Sequence, residues 1–167
     1  ILREASVTMT VFPESEFLSL LKKLRDERPL VHVLTNDVVQ EITADVLLAA
    51  GASPAMVVAP EESGTFAGVA NGVLINIGTP TAERIRAMHC AADAANAKST
   101  PWVLDPVAAG GIPWRDDVIR SFVEKRPTVI RGNASEIRAL AGFSSSGKGV
   151  DSCDSSDSAL EAAELLA

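Results

Sequence analysis

The chain has 167 residues, 47% hydrophobic and 22% charged, with a formal charge of −7. This length and composition fit one globular domain with a hydrophobic core and exclude a disordered chain. The acidic balance argues against nonspecific nucleic-acid binding, which needs a basic patch to replace phosphate counterions, and no apolar run reaches the roughly 20 residues that span a bilayer.

Residues 1–12 lack the charged-then-apolar pattern of an export signal. Cys90 and Cys153 are the only cysteines and have no metal-site spacing, which points to a reducing cytoplasm. Cys90 reads as a small apolar filler on a helix.

From residue 30 on, short apolar runs alternate with longer helical patterns. The spacing predicts a strand over 30–35, then a helix over 38–50 in which Val38, Ile42, Val46 and Ala49 recur at helical spacing. The segment before them, 26–29, reads as an ordinary solvated turn. A strand over 55–59 and a helix over 61–70 follow, then a strand over 72–78. The next helix, 82–97, is alanine-rich and places Ile85, Met88, Ala92 and Ala95 on one side. Strands at 102–105 and 128–131 flank a helix at 115–125, and a further helix runs from 135 to 141. Residues 143–158 are rich in Ser, Gly and Asp and read as a mobile surface loop. A last helix spans 155–167, with Ser155 or Ser156 as its N-cap. It stops at Leu165-Leu166-Ala167 without a C-cap, so the chain reads as interrupted.

Nearly all-apolar strands between amphipathic helices predict an α/β protein: a mostly parallel sheet with helices on both faces, in three layers, as a single domain over 1–167. Right-handed crossovers put every strand's carboxyl end on one edge. That edge collects Thr35-Asn36-Asp37, Pro60-Glu61-Glu62, Gly78-Thr79-Pro80-Thr81, Asp105-Pro106 and Arg131-Gly132-Asn133. Ligands bind at such edges in open α/β sheets, although surface loops are polar in any protein.

Arg131 can fork two hydrogen bonds onto phosphate oxygens. Asn133 can cap the helix that follows, leaving free N–H groups that favour an anion, and Glu136 lies on the same first turn, placed to hold Mg²⁺ through water. The competing reading is an ordinary Asn-x-x-Glu capping box. Asp105 ends an apolar strand, where packing does not explain a carboxylate; it is either a ligand to phosphate-bound Mg²⁺ or a turn-initiating Asp. Gly110-Gly111 gives a flexible loop over the same edge. Asn36 caps a helix, binds a small polar ligand, or does both. Met56 reads as core before lining, His32 as a packed and hydrogen-bonded histidine, and His89 as an exposed one. No Ser/His/Asp arrangement, no P-loop and no Gly-x-Gly-x-x-Gly occurs.

Five motifs appear in order: residues 30–40, 47–56 (Leu-Leu-Ala-Ala-Gly-Ala-Ser-Pro-Ala-Met), 74–79 (Leu-Ile-Asn-Ile-Gly-Thr), 104–107 (Leu-Asp-Pro-Val) and 130–136 (Ile-Arg-Gly-Asn-Ala-Ser-Glu), closed by Gly147-Lys148-Gly149-Val150-Asp151. Together they resemble hydroxyethylthiazole kinase, a thiamine-salvage enzyme of the ribokinase-like superfamily. The resemblance implies a ribokinase-like fold and ATP- and Mg²⁺-dependent phosphorylation of the hydroxyl of 4-methyl-5-(2-hydroxyethyl)thiazole. It implies that Met56 and Asn36 bind the substrate, that Arg131 and Asn133 contact ATP, and that Asp105 and Glu136 sit near Mg²⁺. It also implies a cytoplasmic homotrimer with active sites between subunits. The family's later Thr-Gly strand end, and the Gly-rich segment that forms the anion hole and activates the hydroxyl, match nothing here; the catalytic residue is expected beyond Ala167, and the chain alone is expected to be nearly inactive. Two alternatives remain: another small-molecule kinase of the superfamily, or a fragment that only binds or oligomerises.

Overall fold

A computed structural model describes residues 13–143 and 159–167. The expectations for residues 1–12, for 144–158 with the Gly147-to-Asp151 segment, for Cys153, and for a cap at Ser155 or Ser156 lie outside the described residues. The elements run α1 (Glu14–Glu27), β1 (Leu30–Leu34), α2 (Gln40–Ala50), β2 (Ser53–Ala55), α3 (Pro60–Ala67), β3 (Gly72–Asn76), α4 (Ala82–Lys98), β4 (Trp102–Asp105), α5 (Pro113–Val123), β5 (Val129–Ile130), α6 (Ala134–Leu140) and α7 (Leu160–Leu166).

All strand pairs are parallel, in the order β2-β1-β3-β4-β5. This is the α/β sheet expected from the alternation of apolar runs. The order reverses at β1, which has β2 on one side and β3 on the other. Right-handed crossovers therefore put α2 on one face and α3, α4 and α5 on the opposite one. The second face is the dense one. Val73, Ile75 and Ile77 from the β3 side, with Trp102 and Leu104 of β4, meet Ala87, Met88, Ala91, Ala92 and Ala95 of α4 and Ile119 and Phe122 of α5. Alanine on α4 and glycine on α3 let these two helices approach closely: a Cβ on Gly64 would lie 3.4 Å from the Cys90 carbonyl.

Several expectations change. Helix α1 was not among the expected elements, although Phe17, Leu20, Leu21 and Leu24 have i, i+3, i+4, i+7 spacing. It buries none of its residues. Residues 26–28 are solvent-exposed as expected, but they form the end of α1 in place of a simple turn, with Arg28 left-handed (φ 45°) and its N–H donated to Leu24 O, just before Pro29.

The strand expected over 55–59 occupies only Ser53–Ala55, paired with Leu30 to His32. Beyond it the Val57 carbonyl accepts from His32 Nε2 (2.7 Å) instead of from a ladder N–H. His32 is thus the packed, hydrogen-bonded residue expected, fully buried and edge-on to Phe66. Burial lowers its pKa.

Cys90 is exposed, not filler: it sits on the solvent side of α4, opposite the buried alanines. His89, expected to be exposed, is half-buried. Its ring stacks on Phe122 with centroids 4.1 Å apart and planes 9° apart. The helix expected over 38–50 begins at Gln40, and its apolar stripe faces outward: Val38, in the turn before α2, is 82% exposed, Ile42 and Val46 of α2 61%, and α2 has no buried residue.

Candidate active site

Period-two alternation decides which side chains reach the sparse face of the sheet. Val73 and Ile75 of β3 enter the core, so Leu74 and Asn76 point the other way; in β4, Trp102 and Leu104 are core, so Val103 and Asp105 oppose them. The register pairs Asn76 with Asp105. Two polar side chains therefore stand side by side at the carboxyl ends of central strands, each only 7% exposed.

They belong to a continuous chain of hydrogen bonds across four strand ends. Asn36, just past β1, accepts at Oδ1 from the Val38 N–H (2.9 Å) and the Val39 N–H (3.2 Å). Its Nδ2 donates to Asn76 Oδ1 (2.8 Å), which also accepts from the Gly78 N–H (3.0 Å). Asn76 Nδ2 donates to Asp105 Oδ2 (2.9 Å), and Arg131 Nη1 donates to the same oxygen (3.0 Å). The Arg131 side chain is 76% exposed, so most of its five N–H donors face solvent and remain available to an anion.

A groove of roughly 870 Å³ opens along this chain. Thr35, Asn36, Asn76, Thr79, Asp105 and Arg131 form its polar side, and Val38, in the turn before α2, with Ile42 and Val46 of α2 its apolar wall. It lies where the strand order reverses between β1 and β3, the usual ligand crevice of an open parallel sheet, and its volume suits a small ligand.

The rim is braced from three sides. Arg84 of α4 pairs with Asp37 and donates to Thr79 Oγ1 (2.8 Å), joining the loops after β1 and β3. That hydrogen bond from Arg84 holds the Asp37 carboxyl below its ordinary pKa, with Thr79 adding to the effect. Arg115 of α5 donates to the carbonyls of Ile77, Gly78 (3.1 Å) and Val107 (3.3 Å). Glu136, 5% exposed, accepts from the Asn133 N–H (2.9 Å) and the Ala108 N–H (2.8 Å), one on each oxygen. Asn133 Oδ1 accepts from the Glu136 N–H (2.9 Å), so the capping box is present. The Gly110-Gly111 loop is tied down as well, since the Gly110 N–H donates to Asp116 Oδ1 (2.7 Å).

The structure brings Asn36, Asp105 and Arg131 onto one groove, with Asn133 and Glu136 at the start of α6 just after Arg131. Asn36 both caps the turn before α2 and lines the groove. Met56 is half-buried just past β2 and is not among the groove's lining residues. Thr79 lies on the edge expected to hold a ligand and lines the groove, whereas Asn76, Arg84 and Arg115 were not singled out. Asn76 had a visible signal, an amide at the end of an apolar strand, just as Asp105 is a carboxylate at the end of one; the two arginines had none, because the bonds by which they join separate loops, Arg84 to Asp37 and Arg115 to Ile77 and Gly78, span 37 residues or more.

Fold and groove define an open parallel α/β protein with a groove of small-ligand size at its switch point and an exposed cation, Arg131, beside it. The hydroxyethylthiazole kinase family model matches residues 21–167. Hydroxyethylthiazole kinase of Corynebacterium glutamicum (strain R) is 56% identical over 153 residues, covering 92% of this chain and 57% of that protein. That of Serratia proteamaculans (strain 568) is 54% identical over 157 residues, covering 94% and 60%. The solved hydroxyethylthiazole kinase protein from Pyrococcus horikoshii OT3 superposes with a TM-score of 0.74 at 43% identity, over 77% of this chain and 50% of that one. The chain belongs to the hydroxyethylthiazole kinase family. It spans a little over half the length of the curated relatives it matches.

Proposed function

We propose that this chain forms the MgATP and alcohol sites of a kinase that phosphorylates the hydroxyl of 4-methyl-5-(2-hydroxyethyl)thiazole, for thiamine synthesis in the cytoplasm. The observation that carries this reading is the exposed Arg131 guanidinium anchored to buried Asp105, at one end of a groove whose other wall is apolar. An ATP phosphate needs the first and a thiazole ring suits the second. Asn36, at the apolar end, is placed to bond the alcohol or the ring nitrogen, and Asn133 is placed beside the nucleotide.

The donor set fits Mg²⁺ bound chiefly to phosphate and water. Among the described residues no three acidic or His/Cys side chains group into a protein-built cage, and Mg²⁺ in nucleotide sites keeps several waters. Asp105 has Oδ2 engaged, and Oδ1 would face the ion. Both oxygens of Glu136 hold backbone N–H groups, so its contact with the ion would run through water. When bound, Mg²⁺ supplies neutralisation of phosphate charge. This chain's residues contribute positioning: Arg131 for phosphate, Asp105 to hold Arg131 in place, Glu136 to fix the loop after β4. Activation of the hydroxyl is assigned to a family segment that none of the 167 residues matches, so the chain alone is expected to turn over little.

The outward apolar stripe of α2 supports a homotrimer with sites between subunits, in which Met56 would line a neighbour's pocket. Replacing Ile42 with Asp should dissociate such an assembly in sedimentation velocity; an unchanged sedimentation coefficient would argue against it.

Coupled ADP release by the complete protein tests the activity. Saturable release with the thiazole alcohol, but not with ribose or hydroxymethylpyrimidine, is expected. Arg131→Ala should raise the ATP KM ten- to hundredfold, the range for a lost charge-assisted bond. Absence of alcohol-dependent ADP release would overturn the reading.

A further inference from the structure

Asn76 stands in the middle of the hydrogen-bond chain: among the described residues it links Asn36, on the side where an alcohol would bind, to Asp105, on the phosphate side. Its amide is oriented from both directions. Two donors, Asn36 Nδ2 and the Gly78 N–H, converge on Oδ1, so Nδ2 must face the Asp105 carboxylate. No rotation about χ2 satisfies all three partners the other way round, because a flipped amide would set N–H against N–H and oxygen against carboxylate. At 7% exposure, water cannot readily replace any of the three.

We infer that Asn76 is a positioning residue for the kinase reaction: it holds the Asn36 amide and the Asp105 carboxylate in one fixed relation, so that the alcohol and the phosphate are presented together. This rests on the activity proposed above. Among the described residues the other side-chain donor to the Asp105 carboxylate is Arg131, whose side chain is largely in solvent. Without Asn76, the carboxylate keeps that one solvent-exposed partner and Asn36 loses the acceptor for its N–H. Small displacements of groups that align reactants are costly to rate because near-attack geometry is demanding.

Two variants of the complete protein test the inference. Asn76→Ala should lower kcat about ten- to hundredfold. The KM values should move less than kcat, and the melting temperature should fall only by the several degrees that three lost hydrogen bonds imply, with the protein still folded at the assay temperature. Asn76→Asp keeps the shape but turns the donor facing Asp105 into an acceptor, so kcat should fall at least as far as in Asn76→Ala, with KM again moving less.

Amide exchange measured by NMR does not depend on activity. The Asn36 side-chain N–H should be protected in the unaltered protein and exchange freely in Asn76→Ala with circular dichroism unchanged. Activity of Asn76→Ala within about twofold of the unaltered protein, activity of Asn76→Asp within about twofold of it, or persistent Asn36 protection would each overturn the inference. If the unaltered protein phosphorylates no thiazole alcohol, the proposed function fails, and exchange alone then decides whether Asn76 orders Asn36.

Discussion

Gly78 gives the most direct way to perturb the groove without touching a charged group. A Cβ built there would lie 2.3 Å from Asn36 Nδ2 and 2.5 Å from both Cβ and Cγ of the same residue. Reaching even the 3.0 Å floor for real contacts requires a shift of about 0.7 Å. Asn36 cannot yield freely, because bonds to Val38, Val39 and Asn76 lock it. At a net ~1 kcal/mol each, losing all three would cost about 3 kcal/mol, and partial relief by the loop after β3 brings the expectation for Gly78→Ala to about 2–3 kcal/mol. The backbone at Gly78 is not left-handed, so the effect is purely one of space. Urea denaturation monitored by Trp102 fluorescence would measure it, with ADP release followed in parallel. Asn36→Gly removes the clashing atoms, so adding Gly78→Ala to that variant should cost less than about 0.5 kcal/mol more. The reasoning is refuted if Gly78→Ala alone costs less than that, or if the two substitutions are additive.

Glu136→Gln should destabilise by roughly 1–3 kcal/mol, because its amide NH₂ must face either the Ala108 or the Asn133 N–H in a buried place; chemical denaturation would show it, and a neutral result would remove Glu136 as the brace of the β4–α5 loop. His89 has its pKa lowered, first by burial and then by Lys125, while Asp93 opposes the shift. The unfolded chain therefore takes up its proton first, so this contribution to stability is complete above pH 6.5 and falls as the pH drops below that value. Comparison with His89→Gln in urea titrations across that range should show the unaltered protein losing stability faster on acidification; parallel curves would contradict the assignment.

Much of this protein is legible along the chain. Alternating apolar runs specified parallel strands and their helices, because a strand buried on both faces must be apolar and a crossover helix must be amphipathic. The capping box at Asn133 and Glu136 was readable because its bonds close within one helical turn. The carboxylate at the end of β4 stood out because an apolar strand has no packing use for a charge. Boundaries moved where a side chain competed with the ladder, as His32 does at Val57.

Other features depend on residues far apart in sequence. The relation of Asn36 to Asn76, and of Asn76 to Asp105, spans 40 and 29 residues, and follows only from strand order and register. The braces made by Arg84 and Arg115 arise in the same way. Spacing alone could not tell the direction of the α2 stripe: the same pattern packs a helix inward or turns it outward, and the arrangement of the other elements decides which. The residue types, and the edge they would share, were therefore determined by the sequence. Which of them touch was decided by tertiary structure, because hydrogen bonding between strands depends on lateral neighbours that the linear order does not name.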